Sequence, residues 1–367
     1  MGARVAALEG LVTARDFWAG KRVFVTGHTG FKGGWLALWL QRLGAQILGY
    51  SLPAPTQPSL FETARISESV QSIIADVRDL ARLKTAFREF SPEVVFHLAA
   101  QPLVRASYDD PVATYSTNLL GTVHVLEAVR QSNSVRSAVM VTTDKCYENR
   151  ESAGGYRETD RLGGHDPYSN SKACAELAID SYRRSFFSGS GSAAVASARA
   201  GNVVGGGDWA EDRLIPDLVR AAVAGKPLVL RNPKSTRPWQ HVLEPLSGYL
   251  MLAERLWDDR ARYAEAWNFG PRDDDARTVE DIVALAARAW GGGLKWVVDS
   301  RPQPHETRML KLDCSKALGA GWRPLLGAEE AVEWTIEWYR AWRDRRDVKA
   351  LSFEQIERYN ASKHRTK

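Results

Sequence analysis

Asp144 and Lys145 stand side by side in Thr142-Thr143-Asp144-Lys145, at the end of the apolar run Ser137–Thr142. A carboxyl next to an amine suits elimination, in which one group removes an acidic proton and the other protonates a departing hydroxyl. A second pair, Tyr168 and Lys172, lies four residues apart in a segment with helical periodicity, hence on one face. An ammonium beside a phenol favours the phenolate and lowers its pKa, fitting Tyr168 as a base. The same spacing recurs at Tyr359 and Lys363 in a charged C-terminal segment, where we read it as structural. For Lys145 to act as a base near neutrality its pKa must fall. Burial and the charge of Lys172 would favour such a fall, and an ionised Asp144 would oppose it.

A third constellation is Gly27-x-x-Gly30-x-x-Gly33, placed between an apolar strand and an apolar helix. Glycines there allow a tight turn and close approach of a pyrophosphate, whose charge meets the helix N-terminus. The spacing departs from G-x-G-x-x-G because residue 29 is Thr. The acidic residue expected after the second strand is also missing, the chain reading Gly49-Tyr50-Ser51. NAD and NADP therefore both remain open, and Lys32 in the turn favours a phosphate. Asp76, where a third strand should end, either accepts a hydrogen bond from adenine or serves as a turn residue.

The elements that must position these groups alternate. Strands are expected at Lys21–Thr26, Ala45–Tyr50, Glu93–Ala100, Ser137–Thr142 and Ala194–Ala200. Helices are expected at Trp35–Leu43, Val112–Gln131 and Pro167–Phe187. Apolar strands alternating with helices predict an α/β fold, a doubly wound parallel sheet of Rossmann-like type. After about Gly201 the texture changes to shorter elements and more prolines, which predicts a smaller, interleaved C-terminal substrate lobe. We expect the dinucleotide domain over 18–200, with 240–270 returning to it, the lobe over 201–239 and 271–345, and a basic tail over 346–367. A helix should open at Thr278, with Asp281 in capping-box position.

The 367 residues carry a formal charge of +5, with a pI near 9.0. Thr335–Lys367 alone holds nine Lys/Arg against five Asp/Glu, so the rest of the chain is almost neutral. No basic face covers the core, which argues against a nucleic-acid partner; any such binding would sit after Arg345. Three cysteines, Cys146, Cys174 and Cys314, form neither a zinc pattern nor a disulfide framework, so no metal is expected. With no apolar run of membrane length, we expect no membrane partner and a cytoplasmic location.

The glycine turn, His97-Leu98-Ala99-Ala100-Gln101, Asn118 and Tyr168-x-x-x-Lys172 together resemble the extended short-chain dehydrogenase/reductases. Within them, Gly27-His28-Thr29-Gly30-Phe31-Lys32-Gly33-Gly34-Trp35, the Thr-Asp-Lys triplet and Gly207-Asp208-Trp209-Ala210-Glu211-Asp212-Arg213 resemble the CDP-glucose 4,6-dehydratase family. The similarity runs from about Phe17 to about Arg345. The triplet is its most specific part, since other sugar-nucleotide dehydratases carry Glu where Lys145 stands.

The resemblance implies dehydration of CDP-glucose to CDP-4-keto-6-deoxyglucose by internal hydride transfer through bound NAD. Tyr168 would take the 4-hydroxyl proton, and Thr143 would hydrogen-bond that oxygen. Lys145 would remove the C5 proton while Asp144 protonates the C6 hydroxyl. Cofactor contacts would come from Gly27, Gly30, Phe31, Lys32, Gly33, Asp76, Val77, Leu98, Ala99, Ala100, Asn118, Tyr168 and Lys172. Substrate contacts would come from Gln101, Thr143, Asn202, Arg213, Arg237, His241 and Arg308. Trp209 and Trp239 are open to stacking on a base or to the core. The resemblance also implies a homodimer through Val112–Gln131 and Pro167–Phe187, or a dimer of such dimers, and a product used in cell-surface (O-antigen) deoxysugars. The rival readings are a dehydratase for another nucleotide, a 4-epimerase, and a non-catalytic NAD(P) sensor. A sensor has no need of all four groups Asp144, Lys145, Tyr168 and Lys172.

Overall fold

The computed structural model describes residues 16–150, 154–189, 191–272, 275–299 and 310–362. Seven strands form the central sheet: β1 (Arg22–Thr26), β2 (Gln46–Ser51), β3 (Gln71–Ile74), β4 (Val94–His97), β5 (Ser137–Val141), β6 (Ala194–Ala200) and β11 (Ala266–Phe269). Their spatial order is β11-β6-β5-β4-β1-β2-β3, and every pairing is parallel. The doubly wound sheet expected from the sequence is therefore present. Strands β4, β5 and β6 are buried along their whole length, as a sheet covered by helices on both faces requires. The direction of winding reverses between β1 and β4, which opens a crevice at the C-terminal strand ends. Thr26, His97, Thr142 and Gly201 lie at or just beyond the ends of β1, β4, β5 and β6, around that crevice.

The helix after β1 runs Phe31–Arg42 and is buried from Gly33 to Leu40, so its apolar residues on all sides are accounted for by the core. It begins four residues earlier than the apolar pattern indicated, because Lys32, Gly33 and Gly34 are helical. The Pro167–Phe186 helix is opened by Asp166, which accepts from Ser169 N at 2.9 Å, with Pro167 in the first turn. The expected Val112–Gln131 helix is divided into Pro111–Tyr115, a π turn Ser116–Leu120, and Gly121–Arg130. The wider turn contains Asn118, and such turns concentrate at functional sites.

The lobe holds three short pairings: β7 (Val203–Val204) with β10 (Gln240–His241), β8 (Leu228–Leu230) with β13 (Trp296–Val298), and β9 (Thr236–Pro238) with β12 (Ala276–Thr278). The Thr278–Asp281 capping box is formed at the head of Val279–Trp290.

One expectation fails. Residues 346–367 are not simply a basic tail, because Val348–Ser362 is a helix packed back on Phe31–Arg42. Tyr359 is buried edge-on against Trp39, with ring centroids 5.6 Å apart, and donates to Glu244 Oε2 at 2.8 Å. Arg42 pairs with Glu357 at the rim of this contact. The apolar positions Leu351, Ile356 and Tyr359 outweigh the charge that made the segment look solvated.

Candidate active site

Thr143 caps a single helical turn, Asp144–Cys146, at the end of β5. The Thr143 hydroxyl accepts from Lys145 N at 3.3 Å and donates to Asp144 Oδ1 at 3.0 Å. Lys145 Nζ lies 3.5 Å from Asp144 Oδ1 and 3.5 Å from Asn202 Oδ1, so the ammonium bridges the sheet and the lobe. Asp144 is buried, whereas a third of the Lys145 side chain is exposed. Gly201 is what admits the carboxylate: a Cβ there would sit 2.9 Å from Asp144 Oδ2.

Tyr168 and Lys172 face this turn from the Pro167–Phe186 helix, both buried. Burial raises the phenol, and the groups that oppose it are Lys145, a hydrogen bond with Thr143, and Arg213. Lys172 instead donates to the Val141 carbonyl at 3.3 Å. Burial brings Lys172 down to about 8, against the opposing charges of Glu176 and Cys146.

Behind the lysine, a closed hydrogen-bond chain fixes the back wall. Thr26 Oγ1 accepts from Leu98 N and Ala99 N, each at 3.1 Å, so its own proton goes to His97 Nδ1 at 2.7 Å. Thr122 donates to the Asn118 carbonyl at 2.7 Å and therefore accepts from His97 Nε2 at 3.1 Å. His97 is thus neutral and protonated on Nε2, in keeping with a pKa pushed down to about 3 by burial and Lys172. Asn118 donates to Gln101 O at 3.0 Å and Ser171 Oγ at 2.9 Å, and accepts from Gln101 N at 2.8 Å. It thereby ties the loop after β4 to the helix that carries Tyr168. The Gln101 amide is engaged by Leu103 and Thr114, so its side chain shapes its own loop.

The glycine turn fits a dinucleotide diphosphate. Gly27 has φ +79°, and a Cβ there would lie 2.7 Å from Ala99 N; one on Gly33 would lie 2.1 Å from Gly27 O. Gly30 occupies the N-cap of Phe31–Arg42 with no side chain capping the first turn, leaving its N–H groups for an anion. Phe31 packs under the lobe, its ring tip 3.0 Å from a Cβ built on Gly205. The two departures from the usual dinucleotide pattern meet each other, since Thr29 Oγ1 and Ser51 Oγ are 2.8 Å apart. The Asp76 carboxylate is taken by Arg78 through its N, Nε and Nη2, which holds its pKa below the usual range and favours the turn reading. Val77 is buried beside it against Gly121.

Lys32 points into the site as well as lying in the turn. Burial first, and then Arg213, bring it down to about 7, with Asp144 opposing and Lys172 and Lys145 adding to the fall.

In the lobe, Asn202 and Arg213 reach the site; Arg213 Nη1 is paired with Asp208 Oδ2 at 2.7 Å and its charge acts on Tyr168. Arg237 lies on β9 next to Pro238, which abuts Gly201. His241 does not reach the site. It is fully buried between Trp35 and Trp334, with ring centroids at 6.0 and 5.8 Å, where an imidazole serves packing. Trp209 and Trp239 are likewise buried, Trp209 against Tyr339 and Trp342. Arg308 lies outside the described residues.

Sequence reasoning passed over Glu176 and Arg199, a buried ion pair at 2.6 Å directly below Lys172. The available signal was the continued spacing of four from Tyr168 through Lys172 to Glu176.

The family model for GDP-mannose 4,6 dehydratase matches residues 24–335. The chain belongs to this family. A curated relative in it, the CDP-glucose 4,6-dehydratase of Salmonella typhimurium (strain LT2), is 53% identical over 350 residues, covering 94% of this chain and 98% of that protein. Among solved structures, the UDP-glucose 4-epimerase of Thermus thermophilus in complex with NAD is 26% identical, with a TM-score of 0.74 over 87% of this chain and 99% of that one. The dTDP-glucose 4,6-dehydratase of Bacillus anthracis str. Ames in complex with NAD, at 22% identity and a TM-score of 0.73, covers 90% of this chain and all of that one, and shares the fold.

Proposed function

We propose that this chain is a CDP-glucose 4,6-dehydratase, a hydro-lyase that works with bound NAD. The observation that carries the reading is the convergence of Asp144, Lys145, Tyr168 and Lys172 at the end of β5, and the 53% identity to a CDP-glucose 4,6-dehydratase supports the nucleotide. The Gly27–Gly33 turn, Phe31 and Lys172 would hold NAD, which when bound supplies a place for the C4 hydride and gives it back at C6.

The residues move the protons. Tyr168 takes the proton of the 4-hydroxyl, with the Thr143 hydroxyl beside it to steady the oxygen. Lys145 and Arg213 lower the cost of the phenolate that forms. The 4-ketone acidifies C5, and Lys145, once its ammonium has passed a proton to Asp144 3.5 Å away, removes that proton as the neutral amine. Asp144 protonates the C6 hydroxyl as water leaves, and Gly201 gives it room to do so. Asn202, Arg213 and Arg237 line the lobe side, where guanidinium forks suit a nucleotide diphosphate.

We read the chain as a homodimer in the cytoplasm. Exposed Val112, Leu120, Leu177 and Phe186 on the two outer helical faces support the pairing, and no described helix is long and apolar enough to cross a membrane. A deoxysugar of the cell surface is the end use we infer. The test is incubation with CDP-, dTDP-, UDP- and GDP-glucose, followed by mass analysis. Loss of one water from the cytidine donor alone is expected; conversion to CDP-galactose, or preference for another base, overturns the reading.

A further inference from the structure

Tyr168, Lys172 and Glu176 occupy successive turns on the face of the Pro167–Phe186 helix that meets the sheet. The first two belong to the chemistry above. The third is buried away from the mouth of the site, yet its carboxylate receives hydrogen bonds from Thr142 (2.5 Å), Ser197 (2.8 Å) and Arg199 (2.6 Å). Each donor is tied to a strand that ends in the site. Thr142 immediately precedes Thr143-Asp144-Lys145. Ser197 and Arg199 lie on β6, which leads to Gly201 and Asn202. Arg199 continues the chain outward to the Tyr147 hydroxyl at 2.7 Å, which donates to Asn268 on β11 at 2.8 Å.

We propose that Glu176 is a positioning residue for the reaction: it clamps the helix bearing Tyr168 and Lys172 to β5 and β6, and supplies the buried negative charge that holds the Lys172 ammonium. This rests on reading Tyr168 and Lys172 as the reacting pair.

The charges around Lys172 make the second half specific. From the elements packed against it come the Cys146 thiol, the neutral His97 and the Lys32 amine, while Glu176 lies on its own helix. Glu176 is the carboxylate that acts on it. Burial alone would raise Glu176, but Arg199 and the hydroxyls of Thr142 and Ser197 overturn that and hold it ionised. Arg199 is thereby consumed in keeping the carboxylate charged, and the carboxylate in turn opposes the burial that brings Lys172 to about 8. Without that charge Lys172 sheds its proton at lower pH, and steps that need the ammonium fail sooner as pH rises.

The test compares wild type with Glu176→Gln, Glu176→Asp, Ser197→Ala and the double variant Glu176→Met/Arg199→Met. The double variant removes the buried pair together, so that folding does not hinge on a stranded guanidinium. Three quantities are read: the melting temperature, the pH midpoint of Lys172 by NMR of ε-13C-lysine (assigned through Lys172→Arg), and the alkaline limb of kcat/KM. In Glu176→Gln and in the double variant the Lys172 midpoint is expected to drop by about one unit or more, and the alkaline limb to move with it. Glu176→Asp and Ser197→Ala should melt earlier yet keep both midpoints. If the variants lacking the carboxylate melt earlier and turn over more slowly at every pH, with Lys172 titrating as in wild type, Glu176 is structural only and the proposal falls. The NMR arm needs no turnover, so it decides the role of Glu176 even if the substrate is not CDP-glucose.

Discussion

Lys145 Nζ lies 3.5 Å from Asp144 Oδ1, an ion pair between consecutive residues in which the carboxylate is buried and the ammonium partly open. Asn202 Oδ1, at the same distance from the other side of the crevice, keeps the ammonium from swinging out. In our reading a proton passes across this contact from the Lys145 ammonium to Asp144, so that the exposed amine can take the C5 proton and the enclosed acid can deliver one at C6. Lys145→Ala should cut dehydration by roughly 10²–10⁴-fold, the usual range for a lost proton-transfer group. Substrate recovered from D2O should carry no deuterium at C5. Exchange at the wild-type rate would show that another group is the base.

Gly201→Ala tests the placement of Asp144 without altering any ionisable group. The added methyl would sit 2.9 Å from Asp144 Oδ2 and 3.4 Å from Pro238 Cγ, so the carboxylate must shift. A displacement of that kind can cost about 10²-fold in rate. The variant should fold, bind nucleotide sugar with little change in KM, and lose kcat. An unchanged kcat would mean that the position of Asp144 is not critical.

Much of this arrangement was legible in the chain. Alternating apolar strands and helices pointed to a parallel, doubly wound sheet, and spacing alone put Tyr168 and Lys172 on one helical face. What the sequence misread has physical causes. His241, an imidazole in a segment rich in arginine and tryptophan, looked like a ligand but is packed between two indoles. The C-terminal helix looked like a solvated tail because charged residues outnumber apolar ones over residues 346–367, although Val348, Leu351, Ile356 and Tyr359 within it are buried. Spacing pointed to Lys172 as the cation near the Tyr168 phenol, and could not show that Lys145 and Arg213, from other elements, act on it. Spacing along a helix says which residues share a face, and not where a long side chain ends.

The C-terminal helix should matter to stability. Tyr359 donates to Glu244 Oε2 at 2.8 Å, and Glu244 Oε1 accepts from Leu325 N and Leu326 N at 2.9 and 2.6 Å. Tyr359→Phe leaves that buried carboxylate short of a donor and should cost about 1–3 kcal/mol. Deleting residues 346–367 should lower the melting temperature much further or leave the protein insoluble. A truncated chain that melts with the full one would show the docking to be dispensable.

Acid should destabilise the fold through its histidines. Burial holds His241 and His97 near 3 and His28 near 4, with Arg358 adding to the effect at His241 and Lys172 at His97. Each folded-state pKa is depressed, so below about 6.5 the unfolded chain takes protons that the folded protein refuses. Stability is complete above that value and falls as pH drops toward the folded pKa values. The cost at pH 5 is roughly 2 kcal/mol for each histidine. Thermal melts at pH 7 and pH 5 should differ strongly, and coincident melts would contradict the neutral assignment of these rings.

The most direct measurement uses CDP-glucose carrying deuterium at C4. One site that oxidises, eliminates and reduces in place must return that deuterium to the same molecule. The product should be CDP-4-keto-6-deoxyglucose with the label at C6 and one solvent-derived hydrogen at C5. Label lost to solvent, or retained at C4 in CDP-galactose, would contradict the account.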